Sequence, residues 1–203
     1  VDRGLTHSRA AGAHTNDYLA GPLLAELGDV SGKTLLDIGC GTGVLTAIAA
    51  ARGAATVGID VSESGLAHAR ASYPALEWAS LSAYDDLRGR LGRDFDVVIS
   101  MEAIEHLYDP RLFLKQAHRA LKPGGLLVLS TPYHGYLKNL VLALSGRLDA
   151  HFTALWDGGH IKFFSWQTLG RALDEAGFVD LRFRGAGRLP GLWKSMVVSA
   201  RRP

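Results

Sequence analysis

The sequence predicts an α/β domain on a doubly wound, seven-stranded, mostly parallel sheet. Three observations predict it. Short apolar runs alternate with longer stretches of helical spacing, the rhythm of strand–helix–strand units. One early run ends in an acid and passes through a turn with glycine at every second position into a helix-like stretch. The last two runs follow each other across a Gly/Pro-rich link, which suits an antiparallel hairpin at one sheet edge.

Taken in order, a first helix is expected over 16–27 and a first strand over 34–38. A helix over 44–52, a strand over 55–59, a helix over 63–72 and a short strand over 76–79 follow. A fourth strand over 95–100 leads to a helix over 110–121. Pro110 suits that helix's first turn, where its missing N–H costs nothing. Lys122-Pro123-Gly124-Gly125 stops the helix and turns the chain into a strand over 126–130. The last helix spans 166–176 and closes at Gly177, before strands over 180–184 and 194–200. Between the fifth strand and the last helix, 133–164 is too long for a plain connection. Within it Tyr133, Leu137, Leu140, Val141, Leu144 and Leu148 recur at helical spacing, interrupted by Lys138, Asn139 and Arg147. A helical cap is expected there, over the carboxyl ends of the strands. Three readings stand open for it: packing its apolar stripe on the sheet edge, serving as a lid or pocket wall, or making a peripheral membrane contact through 133–148.

Composition bounds what such a domain does. The chain has 203 residues, 47% hydrophobic and 21% charged, enough for one core and too apolar for disorder. A single domain over 1–203 is expected. Lys+Arg 22 against Asp+Glu 20 gives a formal +2, which excludes a bulk electrostatic grip on nucleic acid. One cysteine excludes a disulfide framework and a Cys-based zinc site. No apolar run approaches the ~20 residues of a membrane span, and 1–18 lacks an apolar signal core, so a cytoplasmic location is expected. Nothing in the sequence sets an oligomeric state.

The sharpest chemical signal is Leu35-Leu36-Asp37-Ile38-Gly39-Cys40-Gly41-Thr42-Gly43. A dinucleotide loop of the G-x-G-x-x-G type needs a third small residue, and counting from Gly39 that position is Val44. An acid just ahead of the turn is also unwelcome to a pyrophosphate, whereas it suits a ligand with an ammonium group. S-adenosylmethionine carries such an amino-acid tail and a cationic sulfonium.

The string LLDIGCGTG resembles the first motif of class I S-adenosylmethionine-dependent methyltransferases, and later landmarks fall in register. The second strand ends at Asp60, beside Val61. Ser82 and Ala83 follow the third strand, and the fourth ends in Met101-Glu102. Leu121-Lys122-Pro123-Gly124-Gly125-Leu126 matches the turn into the fifth. The resemblance implies a Rossmann-like sheet of strand order 3-2-1-4-5-7-6. It also implies a cofactor site at Asp37, Gly39, Cys40, Gly41, Thr42, Gly43, Asp60, Val61, Ser82, Ala83, Met101 and Glu102. In the family the acid at Asp60 takes both ribose hydroxyls. The family often has Asp where Ser82 stands.

Glu102-Ala103-Ile104-Glu105-His106 with Asp109-Pro110 is similar to the ubiquinone-biosynthesis O-methyltransferase branch. Glu102, Glu105 and His106 could bind a hard divalent cation or simply hydrogen-bond locally, and the local role is expected, with no metal. If the nucleophile is a hydroxyl, a base raises its reactivity. His160, in Gly159-His160-Ile161-Lys162-Phe163-Phe164-Ser165, leads as base or acceptor contact, with a helix-entry histidine tied to backbone as the rival reading, followed by His106, His134 and His151. His7, His68 and His118 are placed on solvated faces, Cys40 is a filler, and Tyr18 is a candidate to close over the methionine end. Trp156, Phe163 and Phe164 either line an apolar acceptor wall or fill the core. The expected function is methyl transfer to a small-molecule hydroxyl. The alternatives are a non-catalytic S-adenosylmethionine binder and an NAD-linked oxidoreductase.

Overall fold

Seven strands form one sheet in the order β3-β2-β1-β4-β5-β7-β6. The computed structural model describes residues 9–203, with side chains from Tyr18 onward, so His7 lies outside the described residues. The elements run α1 (Arg9–Leu27), β1 (Thr34–Ile38), α2 (Val44–Ala50), β2 (Ala55–Asp60), α3 (Glu63–Ser72), β3 (Glu77–Ser80), α4 (Leu87–Leu91) and β4 (Phe95–Met101). A 3-10 turn (Ile104–His106) precedes α5 (Pro110–Ala120), β5 (Leu121–Pro132), α6 (Tyr136–Leu144), α7 (Leu148–Phe152), α8 (Trp166–Glu175), β6 (Val179–Ala186) and β7 (Ser195–Arg201). β1 to β5 pair in parallel, while β7 lies antiparallel between β5 and β6.

Successive strand residues point to opposite faces, and the core divides accordingly. Leu36, Val98, Leu127, Leu129, Met196 and Val198 face one side with Phe113 and Leu114 of α5 and Leu169 and Leu173 of α8. Their neighbours Leu35, Val97, Val128 and Val197 face the other side with Leu19 and Leu23 of α1 and Leu45 of α2. Near-continuous apolar runs are therefore what a sheet covered on both faces requires. Caps fix the helix starts: Ser62 accepts from the Gly65 amide, Asp109 accepts from Leu112 ahead of Pro110, and Ser165 with Thr168 forms a capping box on α8.

Besides the unpredicted α4, the structure departs from the sequence reading at β5, at His118 and at the cap. β5 starts at Leu121 rather than after the glycine pair. The Lys122–Gly125 turn is absorbed as an irregularity between the pairs Phe95–Leu121 and Val97–Leu126, and the Gly124 amide bonds the Arg202 carbonyl at 2.9 Å. His118 is half-buried edge-on against Phe178 at 5.0 Å, not solvated. The third departure is the cap. It is two helices, α6 and α7, rather than one, because the chain turns at Ser145-Gly146, with Gly146 at φ 66. Its apolar stripe does not lie on the sheet: Leu137, Leu140, Val141 and Leu144 are exposed, whereas Lys138 is 6% exposed. The cap has turned its cation inward and its leucines outward. Among the described residues no helix is long and apolar enough to cross a membrane.

Candidate functional site

The glycine turn is built by Asp60. Its Oδ2 accepts the Gly41 amide at 2.8 Å and its Oδ1 accepts the Ser62 amide at 2.8 Å, so one carboxylate ties the β1 turn to the start of α3. The Gly39 and Cys40 amides both donate to the Ile59 carbonyl, pinning the turn across the ends of β1 and β2. Glycine is required at the turn's two ends. A Cβ at Gly39 (φ 78) would sit 2.9 Å from the Ala103 Cβ, and one at Gly43 (φ 79) would sit 2.4 Å from the Trp78 ring. Beneath the turn Asp37 is 2% exposed, and its Oδ2 accepts from the Thr46 hydroxyl at 2.5 Å. Burial, countered by Thr46 and reinforced by Asp60, pushes the Asp37 carboxyl up to about 7. Above the turn a crevice of about 210 Å³ opens at the carboxyl ends of β1, β2 and β4. Gly39, Asp60, Val61, Ser82, Ala83 and His106 are among its walls. The larger depression of about 420 Å³ at Arg88, Arg93 and Arg119 adjoins the chain entering β4 and β5, away from these residues.

The mouth beyond the crevice is lined by ionisable groups from several elements. The Glu105 side chain is fully buried, and its backbone carbonyl accepts the Ile161 and Lys162 amides at 2.9 and 3.0 Å. This fastens the segment before α8 to the 3-10 turn and brings His160 Nε2 within 4.0 Å of Glu105 Oε1. The His106 and His160 rings lie 4.9 Å apart. His106 Nδ1 lies 3.0 Å and 3.2 Å from the Gly158 and Gly159 carbonyls. Those oxygens only accept, so Nδ1 bears a hydrogen. Burial, reinforced by His106, lowers His160 to about 4, and burial with Lys138 lowers His134 to about 4. His134 is packed among Phe152, Phe163 and His151. Glu102, at the end of β4 with φ 51, accepts from Ser130 at 2.8 Å and from Ser195 at 3.0 Å. Burial pushes its carboxyl up to about 7 against the pull of those two hydroxyls and Lys138. The Tyr18 hydroxyl meets Ser195 at 3.0 Å, linking α1 to the same group.

The methyltransferase domain family matches residues 13–182, most of the chain. The chain belongs to this family. This methyltransferase domain is 40% identical over 110 residues to the ubiquinone biosynthesis O-methyltransferase of Pseudomonas paraeruginosa, covering 52% of the chain and 47% of that protein. Against the protein of that name from Idiomarina loihiensis it is 33% identical over 162 residues, 76% of the chain and 65% of the relative. The chain thus spans about half the length of the first curated relatives it matches. In fold it is similar to the magnesium protoporphyrin IX methyltransferase of Synechocystis PCC 6803 with bound S-adenosylhomocysteine. The TM-score is 0.70 at 19% identity, over 96% of this chain and 85% of that one. The cofactor of these enzymes, S-adenosylmethionine, fits the residues present. Asp60 supplies a two-oxygen acceptor for a ribose, Val61 is 59% exposed beside it as an apolar wall for a purine, and Gly39 leaves room at the turn.

Of the cofactor residues read from the sequence, the structure brings Gly39, Asp60, Val61, Ser82 and Ala83 together around the crevice. Asp37, Cys40, Gly41, Thr42, Gly43, Met101 and Glu102 lie outside its walls. Met101 is in the core facing α1, and burial with the two nearby acids pushes the Cys40 thiol up. Among the histidines His106 reaches the crevice, His160 stands behind it, and His134 is buried under the cap. Glu102 does not join Glu105 and His106. The cluster that does form is Glu105, His106 and His160, with ligating atoms within 4.8 Å of one another. Two imidazoles and one carboxyl are not the all-oxygen set that a hard cation prefers. The sequence reading missed Ser130, Ser195 and Lys138. Nothing local marks two serines in strands, but a lone lysine within a leucine stripe was a visible irregularity.

Proposed function

We propose that this domain transfers a methyl group from S-adenosylmethionine to a hydroxyl of a small-molecule acceptor. The observation that carries the reading is the crevice at the ends of β1, β2 and β4, with a ribose-matched Asp60 on one wall and His106 on another. S-adenosylmethionine, when bound, supplies an electrophilic methyl on a sulfonium. The chain's own work is then to hold, align and deprotonate. Asp60 holds the sugar and Asp37 places negative charge beneath the turn. The imidazoles of His160 and His106, 4.9 Å apart, are the groups assigned to take the hydroxyl proton. The names of the relatives support oxygen as the acceptor atom, and a cytoplasmic location belongs to the same reading. The test is titration with S-adenosylhomocysteine together with transfer of labelled methyl to a panel of phenols and catechols. Binding and turnover are expected, with His160→Ala lowering turnover far more than cofactor affinity. Binding without turnover on any acceptor favours a non-catalytic binder, and NAD binding without S-adenosylhomocysteine binding favours an oxidoreductase.

We infer further that the cap's outward face makes a peripheral contact with a lipid surface through its exposed apolar side chains. Tyr136, Leu144 and Leu155 are 83%, 80% and 99% exposed, on a cap whose exposed charges are Arg147, Asp149 and Asp157. Leu144→Asp with Leu155→Asp is expected to abolish co-sedimentation with phosphatidylglycerol vesicles. No co-sedimentation of the unmodified chain, or a dimer that buries this face in solution, overturns the assignment.

A further inference from the structure

The cap turned inside out leaves a lysine where a leucine belongs. Lys138 is 6% exposed on a helix whose neighbouring residues Leu137 and Val141 are 50% and 44% exposed. Its ammonium has three donors, and the structure gives it one acceptor, the Lys194 carbonyl at 3.3 Å. Among the described residues no carboxylate lies within 4.0 Å of it. Burying such a group is costly unless an anion meets it.

The groups facing Lys138 are mostly basic. They are Glu102 from the end of β4, His134 from the segment before α6, His151 from α7, His160 from the segment before α8 and Arg188 from the loop between β6 and β7. Glu102 accepts from Ser130 and Ser195 and lies beyond 4.0 Å from the ammonium. Arg188 is held at φ 94, a conformation that non-glycine residues rarely adopt. A second, independent observation points to a ligand. His151 Nε2 is buried without a hydrogen-bond partner, in a ring 5.3 Å from that of His134, itself 7% exposed.

Resting on the methyl-transfer reading above, we propose that the basic cluster beneath α6 recognises a carboxylate on the acceptor, with Lys138 as its principal contact and the exposed Arg188 at its edge. Two donors remain on the ammonium after Lys194, and a carboxylate offers two oxygens. Lys138 thereby selects acidic acceptors and orients them toward His106, a specificity role supplied by the insert rather than by the cofactor-binding half.

The test is calorimetric titration of the S-adenosylhomocysteine-loaded protein with 4-hydroxybenzoate and its uncharged isostere 4-hydroxybenzamide. Wild type is expected to prefer the benzoate by about tenfold, the scale of one charge-assisted hydrogen bond. Lys138→Met is expected to remove that preference with S-adenosylhomocysteine affinity unchanged, and Lys138→Arg to restore part of it. Equal binding of the two probes, failure of the benzoate to bind, or a preference that survives Lys138→Met overturns the proposal. Loss of S-adenosylhomocysteine binding by wild type would instead strike the methyl-transfer reading.

Discussion

Replacing Lys138 with methionine should make the protein more stable. Burial, with Arg188 nearby, lowers the Lys138 ammonium from 10.5 to about 8, despite the favourable field of Glu102. That difference is worth about 3 kcal/mol against the folded state whenever the lysine is charged in both states. Lys138→Met removes this cost, keeps the volume apolar, and gives up the hydrogen bond to Lys194, worth about 1 kcal/mol. The net gain is about 2 kcal/mol, or roughly 4–8 °C in Tm for a domain of this size. The pH dependence identifies the cause. A lysine whose folded value is depressed destabilises fully below about pH 8, and the penalty fades as the native state loses its proton between about 8 and 10.5. Thermal melts of wild type and Lys138→Met should therefore run a constant distance apart at pH 6–8, close as pH rises above 8, and cross before about pH 10.5, where only the Lys194 hydrogen bond still separates them. A variant destabilised at pH 6–8, or a gap indifferent to pH, would show that an unrecognised anion already satisfies this lysine and that burial alone does not set its energy.

Three further outcomes are expected. Asp60→Ala removes the ribose acceptor and releases the Gly41 and Ser62 amides. S-adenosylhomocysteine affinity measured by calorimetry should then fall by about 1.5–3 kcal/mol, and an unchanged Kd would displace Asp60 from the site. Asp37 has a raised folded value, so its ionisation costs stability as pH rises from 3.8 through about 7. Asp37→Asn, which can still accept from Thr46, should raise Tm at pH 8 while weakening cofactor binding, and a fall in Tm would contradict the cause given. Gly43→Ala forces a Cβ against Trp78 at φ 79 and should lower stability by about 1–3 kcal/mol, read by denaturant unfolding.

The fold was legible because its signals are local and repeated. Apolar runs of strand length mark a sheet covered on both faces. Pro110, Ser165 and Gly177 punctuate helices by mechanisms that do not depend on the rest of the chain. Where the reading missed, a longer-range partner decided. Leu121 becomes strand because Phe95 pairs with it, and the glycine turn after it is stitched to Arg202. α4 is too short for periodicity to reveal.

The candidate site divides along the same line. Gly39, Asp60, Ser82 and Ala83 stand at strand ends, so parallel pairing alone carries them to one crevice. The acceptor side is assembled by the insert, whose orientation helical spacing does not determine. A 3.6-residue period shows that α6 has an apolar face and says nothing about which face meets the sheet. The polar floor made by Glu102, Ser130 and Ser195 decides it. Leucines laid on that floor would strand a buried carboxyl, whereas Lys138 turned toward it shares its field. The exposed leucine stripe is therefore the consequence of an acid at the end of β4. A Glu102→Leu exchange should remove the reason for the inward lysine and let the apolar face of α6 turn toward the sheet.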